Sequence, residues 1–122
     1  MKKKILFALS VLPMMLTGRN VDAKVISMGE FKLTAYCSCE ICSEQYGTQT
    51  ASGMECEVGN TVAADLSYFN LGDTITINGV EYTVMDTCGA VKGEVIDIYM
   101  DTHADTERFG VQYGDVDIIR ED

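Results

Sequence analysis

The sequence predicts a small, mainly β domain closed into a barrel, with one short helix. Three observations predict it. Short runs with alternating apolar and polar residues recur along the second half of the chain, separated by turn residues. Asn78-Gly79 separates two of these runs, the pattern of a two-residue hairpin. One stretch alone, "DTHADTERFG", carries helix signals at both ends. Many short strands with a single helix fit a small barrel better than a layered α/β domain.

Residues 1–23 read as a secretory signal peptide. "MKKK" is a basic lead, "ILFALSVLPMMLTG" an apolar run, and Val21 and Ala23 are the small residues of a cleavage site. The apolar run is short for a membrane span of about 20 residues. The competing reading is an uncleaved anchor. The folded unit is then residues 24–122, one domain, which the removal of residues 1–23 would leave secreted and without stable membrane association.

Residues 24–30 read as a lead-in and "FKLTAY" as the first strand. A loop rich in Cys, Ser, Thr, Gly and Glu follows from Cys37 to Asn60, long enough to be functional or cross-linked. "TVAAD", "DTITI", "VEYTVMD", "EVIDIYM" and "DVDII" are the remaining strands. In the helix, Thr102 is the N-cap, Asp105 lies three residues on as in a capping box, and Gly110 ends the element.

The chain carries a formal charge of −10, and its first 23 residues are net basic, so residues 24–122 carry −13. Such a charge repels phosphates and anionic lipid surfaces, which excludes nucleic acid as a natural partner. Neutral sugars remain compatible. Five cysteines, Cys37, Cys39, Cys42, Cys56 and Cys88, all follow the signal segment, and outside the cytoplasm disulfides are expected of them. Zinc would need a fourth ligand beside the Cys37, Cys39 and Cys42 trio, from Cys56, Cys88 or His103. A cysteine nucleophile would need a histidine, and His103, on an acidic helix, reads as a surface residue.

Alternation in "EVIDIYM" puts Ile96, Ile98 and Met100 on the core face and Val95, Asp97 and Tyr99 on the other. Asp86 falls at the end of "VEYTVMD", and the turn between the strands can bring the two carboxylates together. Neighbouring carboxylates in apolar surroundings do not both ionise easily, and the protonated one is a general acid. Spacing alone equally accommodates a turn cap at Asp86 and a solvated strand residue at Asp97. Tyr36 and Tyr99 are candidate platforms for stacking sugars.

The run "LTAYCSCEIC…TASG…TVAAD…LGDTITINGVEYTVMDTCGAVKGEVIDIY…FG" resembles the bacterial 3D domain, named for three aspartates. The resemblance covers residues 33 to about 119 and maps the aspartates to Asp65, Asp86 and Asp97. It implies a six-stranded double-psi β-barrel similar to the catalytic domain of membrane-bound lytic transglycosylase A. It also implies action on peptidoglycan glycan strands by a monomer that needs no metal or cofactor. In that reaction the bond between N-acetylmuramic acid and N-acetylglucosamine is cut and the muramic acid C6 hydroxyl closes on C1. The resemblance implies Asp97 as acid/base, Asp86 as the group that keeps it protonated, and Asp65 as an orienting residue. Thr50 and Ser52 of "TASG", Lys92 of "AVKG", and Tyr36 and Tyr99 are the implied substrate contacts. A non-catalytic barrel that binds wall polysaccharide is the alternative. Cys88 stands where the family has glycine, at a turn where positive φ is expected to strain a side chain. Cys56 is also unusual, which suggests a Cys56–Cys88 bridge. Val95 replaces a frequent arginine.

Overall fold

A computed structural model describes residues 23–39 and 47–121. Cys42 and all of the signal segment except Ala23 lie outside the described residues. Six strands and one helix follow in chain order: β1 (Ala23–Tyr36), β2 (Thr61–Ala64), β3 (Thr74–Ile77), β4 (Val80–Asp86), β5 (Val95–Tyr99), α1 (His103–Phe109) and β6 (Gln112–Glu121). The strands hydrogen-bond in the closed order β1-β5-β2-β4-β3-β6, with β6 returning to β1. The expected six-stranded ring and single helix are therefore present. Two pairings, β1 with β5 and β2 with β4, are parallel, and the others are antiparallel.

Alternation fills the ring. Leu33, Val62, Ala64, Ile75, Val84, Ile96, Ile98, Val116 and Ile118 are buried in one cluster, with Phe31 packed on Phe69. This burial fixes the register of β5. A slip by one residue would turn Ile96 and Ile98 outward, at a cost of about 3–6 kcal/mol, and push Asp97 into the core. The opposite side of the same strands carries a second cluster of Tyr36, Ala63, Val91 and Tyr99, with Cys56 and Val95 packed against it. The core and outer faces of β5 are as the alternation predicts.

Three departures from the sequence reading stand out. Residues 24–30 are strand, not lead-in: β1 pairs with β6 from Ala23↔Glu121 onward, through a bulge between Ser27 and Gly29. That ribbon is almost wholly exposed, with Val25 at 66 % exposure, so no periodic apolar face marks it. β6 is correspondingly longer than "DVDII". Finally, Asn78 is the only non-glycine with positive φ among the described residues, so Cys88 sits without the expected backbone strain. Asn78-Gly79 does form the hairpin turn, and the Asn78 side chain accepts a hydrogen bond from the Asp115 N–H at 3.0 Å. It lies so close to Gly114 that a β-carbon there would come within 2.7 Å of it.

The helix is capped as its sequence predicts. The Thr102 hydroxyl accepts from the Asp105 N–H at 3.1 Å, and Gly110, at φ 63°, ends the element.

Candidate active site

β2 is flanked by β5 on one side and β4 on the other. Its Ala63 is in register with Asp97 on β5 and with Asp86 on β4. On the far side of β5, Thr34 of β1 is in register with Asp97. Thr34, Asp97, Ala63 and Asp86 thus form one row across four strands. The backbones bearing the two carboxylates are two strand spacings apart, about 9.6 Å. Only a methyl group stands between them, that of Ala63, which is buried against Tyr36, Val91 and Tyr99.

A bulge makes this alignment. β2 and β4 pair as Val62↔Val84 and then Ala63↔Asp86, so Met85 is passed over. Without the extra residue Ala63 would face Met85. Bulges commonly re-aim a side chain in this way. Met85 turns to the interior, 3 % exposed, where its sulfur accepts from the Thr61 hydroxyl at 3.0 Å.

The two carboxyls have different surroundings. Asp86 Oδ1 accepts the N–H groups of Ala51 at 3.0 Å and Thr87 at 2.9 Å. Asp97 is half-buried, and its Oδ1 accepts the Thr34 hydroxyl at 2.9 Å. Burial raises its pKa above the usual carboxylate range; the Thr34 hydrogen bond opposes this, and the negative charge of Asp86 adds to it. None of these influences is a cation, which agrees with Val95 in place of an arginine. Asp97 therefore keeps its proton more readily than an ordinary carboxyl, with Asp86 close enough to help hold it there.

Asp65 is used differently. Its Oδ2 accepts the Gly93 N–H at 2.7 Å, and its Oδ1 accepts the N–H and hydroxyl of Ser67 at 2.9 and 2.8 Å. These hydrogen bonds, that of Gly93 first, hold its pKa down to about 2. Both of its oxygens are occupied in tying the turn after β4 to the end of β2, so it supports the site as an anchor. Because its pKa lies below the unfolded value near 4, its contribution to stability is complete above about pH 4 and is lost as pH falls through about 2. Asp65→Ala is expected to accelerate amide exchange at Gly93 and Ser67 at neutral pH, without shifting the pH limb of Asp97.

The loop bearing "TASG" docks beside Asp86. The Ser52 N–H donates to the Met85 carbonyl at 3.0 Å, and the Thr50 and Ser52 hydroxyls are 2.8 Å apart. Ser52 is exposed, and Thr50 also donates to the Met54 carbonyl. Lys92 is exposed beside Asp65, whose charge it favours. Tyr36 and Tyr99 correct the expectation of open stacking platforms. They are 8 % and 6 % exposed, with ring centroids 5.4 Å apart in an edge arrangement, and they form the apolar floor next to the carboxylate row. Burial pushes the Tyr36 phenol up, and its hydroxyl lies 3.7 Å from the Cys56 sulfur.

That contact also corrects the expected Cys56–Cys88 bridge. Both are free thiols; Cys56 turns inward to Tyr36 while Cys88 is exposed on the turn. Cys42, and with it a short bridge to Cys37 or Cys39, lies outside the described residues. His103 is not a simple surface residue: it is half-buried, with Nδ1 3.6 Å from the Cys39 sulfur. Thr34 is the site residue that sequence reasoning missed. It lay within "TAY", two residues before Tyr36 on the same face, but its partner is defined only by the β1–β5 register.

A six-stranded ring with a row of two unlike carboxyls on its outer wall defines a small β domain with the means for proton transfer. The model of the 3D domain family matches residues 60–120, half of the chain, and the chain belongs to that family. No curated protein matches it. Three solved structures of MltA from Escherichia coli are similar to it. One matches at 23 % identity and TM-score 0.53, over 61 % of this chain and 28 % of that one. The second, whose title describes a unique lytic transglycosylase fold, matches at 25 % identity and TM-score 0.54, over 61 % and 28 %. The third, MltA with bound chitohexaose, matches at 21 % and 0.54, over 66 % and 30 %. The chain thus spans less than a third of the MltA chains it matches.

Proposed function

We propose that this protein is a secreted lytic transglycosylase that cuts the β-1,4 bond between N-acetylmuramic acid and N-acetylglucosamine in peptidoglycan. The observation that carries this reading is the row Thr34, Asp97, Ala63, Asp86, with Asp97, whose pKa burial raises, on a strand paired on both sides. The protonated Asp97 donates its proton to the glycosidic oxygen as the bond to C1 breaks. The resulting carboxylate then takes the proton of the muramic acid C6 hydroxyl as that oxygen bonds to C1. The product is a 1,6-anhydro end, and Asp97 finishes protonated. No water enters the product.

Asp86, held by the Ala51 and Thr87 amides, adds through its charge to the rise that burial gives the proton affinity of Asp97. Asp65 holds the turn between them in place. Exposed Ser52 and Lys92, with Thr50, line the approach for sugar hydroxyls, and the Tyr36–Tyr99 pair excludes water from below. The likeness to MltA with bound chitohexaose supports a glycan strand as the ligand. The two parallel pairings, β1–β5 and β2–β4, support assignment of the ring as a double-psi barrel.

Incubation with purified peptidoglycan tests the reading. Release of soluble muropeptides is expected. Sedimentation of the protein with intact sacculi and no release would instead define a wall-binding barrel. The chain is proposed to act as a monomer outside the cell, without stable membrane association after residues 1–23 are removed. N-terminal sequencing of secreted protein is expected to begin at Lys24; a membrane-bound chain retaining Met1 would show an anchor.

A further inference from the structure

Cys37 and Cys39 follow the end of β1, and His103 opens α1, 64 residues beyond Cys39. The fold brings the three together. The Cys37 and Cys39 sulfurs are 3.1 Å apart, and the Cys39 sulfur is 3.6 Å from His103 Nδ1. All three ligand atoms lie within 4.8 Å of one another. A tetrahedral zinc ion, about 2.3 Å from sulfur and about 2.0–2.1 Å from nitrogen, sets sulfur and nitrogen about 3.6 Å apart and two sulfurs about 3.8 Å apart. The Cys39–His103 pair already has that spacing. The two sulfurs need to open by about 0.7 Å, which side-chain rotation supplies.

The other ring nitrogen supplies an independent sign. His103 Nε2 lies 3.5 Å from Oε2 of Glu107, one helical turn on. A carboxylate on the far nitrogen of a ligating imidazole fixes its tautomer and raises its basicity. The chemistry of the set selects the metal. Two thiolates and an imidazole are soft and borderline donors that suit zinc, whereas calcium and magnesium take oxygen ligands. Cys37 is 1 % exposed, and a buried thiolate is costly unless a cation compensates it. Two thiolates and a neutral imidazole exactly offset the two charges of zinc.

We propose that Cys37, Cys39 and His103 supply three of the four ligands of one zinc ion, with Glu107 orienting the imidazole. The ion pins the end of β1 to the start of α1. Tyr36 immediately precedes Cys37, and its carbonyl accepts the Met100 N–H at 2.7 Å, so the pin steadies the floor beside Asp97 from both strands. The ion is structural and takes no part in glycan chemistry, and the inference stands whether or not the glycan is cut.

The test is zinc content of the full chain purified with its thiols reduced, loaded with zinc and separated from excess metal. One zinc per chain is expected, and its removal by a chelator is expected to lower Tm by more than about 5 °C. The Cys39→Ser and His103→Ala variants should lose the metal. Glu107→Gln should weaken binding by about 10- to 100-fold. Cys56→Ser and Cys88→Ser should retain it. No zinc on the wild-type chain overturns the proposal, as does undiminished zinc in Cys39→Ser or His103→Ala. If those variants fail to fold, cobalt bound to the wild-type chain decides. It must show thiolate charge-transfer absorption and tetrahedral visible bands, and their absence overturns the site.

Discussion

Replacing Asp97 by Asn is expected to leave the barrel folded and to reduce glycan cleavage by about 10²- to 10⁴-fold, the range lost with a positioned general acid. The amide has the same shape, and its oxygen can still accept the Thr34 hydroxyl that now bonds Asp97 at 2.9 Å. It cannot donate a proton to a leaving oxygen. The stability of the variant makes the loss interpretable. The pKa of Asp97 is raised in the fold, chiefly by burial. Its contribution to stability is therefore complete below the unfolded pKa near 4 and lost as pH rises through the folded value. Above the folded pKa the charged form is a burden that Asn lacks, so in that range Asp97→Asn is expected to melt no lower than the natural chain. Calorimetry beside a muropeptide-release assay measures both. Wild-type turnover by Asp97→Asn would exclude it as the acid.

Two further variants should move the pH dependence in opposite directions. The acid must be protonated, so activity is expected to fall as pH rises through the pKa of Asp97. The charge of Asp86 raises that pKa, and the Thr34 hydroxyl lowers it. Asp86→Asn removes the first influence and should shift the alkaline limb to lower pH. Thr34→Val removes the second and should shift it to higher pH. Asp86→Asn should also lower maximal activity, by less than Asp97→Asn, because it acts through its neighbour. A merely structural role for either residue would reduce activity without moving the limb. Rate–pH profiles of the three proteins therefore test the coupling, and limbs that coincide would exclude it.

What the sequence revealed was governed by periodicity. β4 and α1 begin and end close to where turn and cap residues put them, and the inward face of β5 follows from Ile96 and Ile98. The exposed ribbon of residues 24–30 was invisible because it buries almost nothing, so no apolar face betrayed it. Asp86 and Asp97 could be picked out as a pair, but their alignment over Ala63 depends on a bulge that passes over Met85. No local pattern announces such a bulge. Asp65 carried no sign that its Oδ2 would be occupied by Gly93, since that contact spans 28 residues. Tyr36 and Tyr99 are equally polar and apolar as residues, and only the closed ring shows that both are covered. His103 looked solvated among acidic neighbours because the face of α1 that meets β1 is set by tertiary packing.

The chemistry of the newly made glycan ends tests the central claim most directly. Mass spectrometry of fragments released from purified peptidoglycan is predicted to find 1,6-anhydromuramic acid at those ends, lighter by one water than a reducing sugar, and to find them absent with Asp97→Asn. Reducing ends carrying oxygen from labelled water would contradict the account by showing hydrolysis, and an undigested wall would contradict it by showing no cleavage at all.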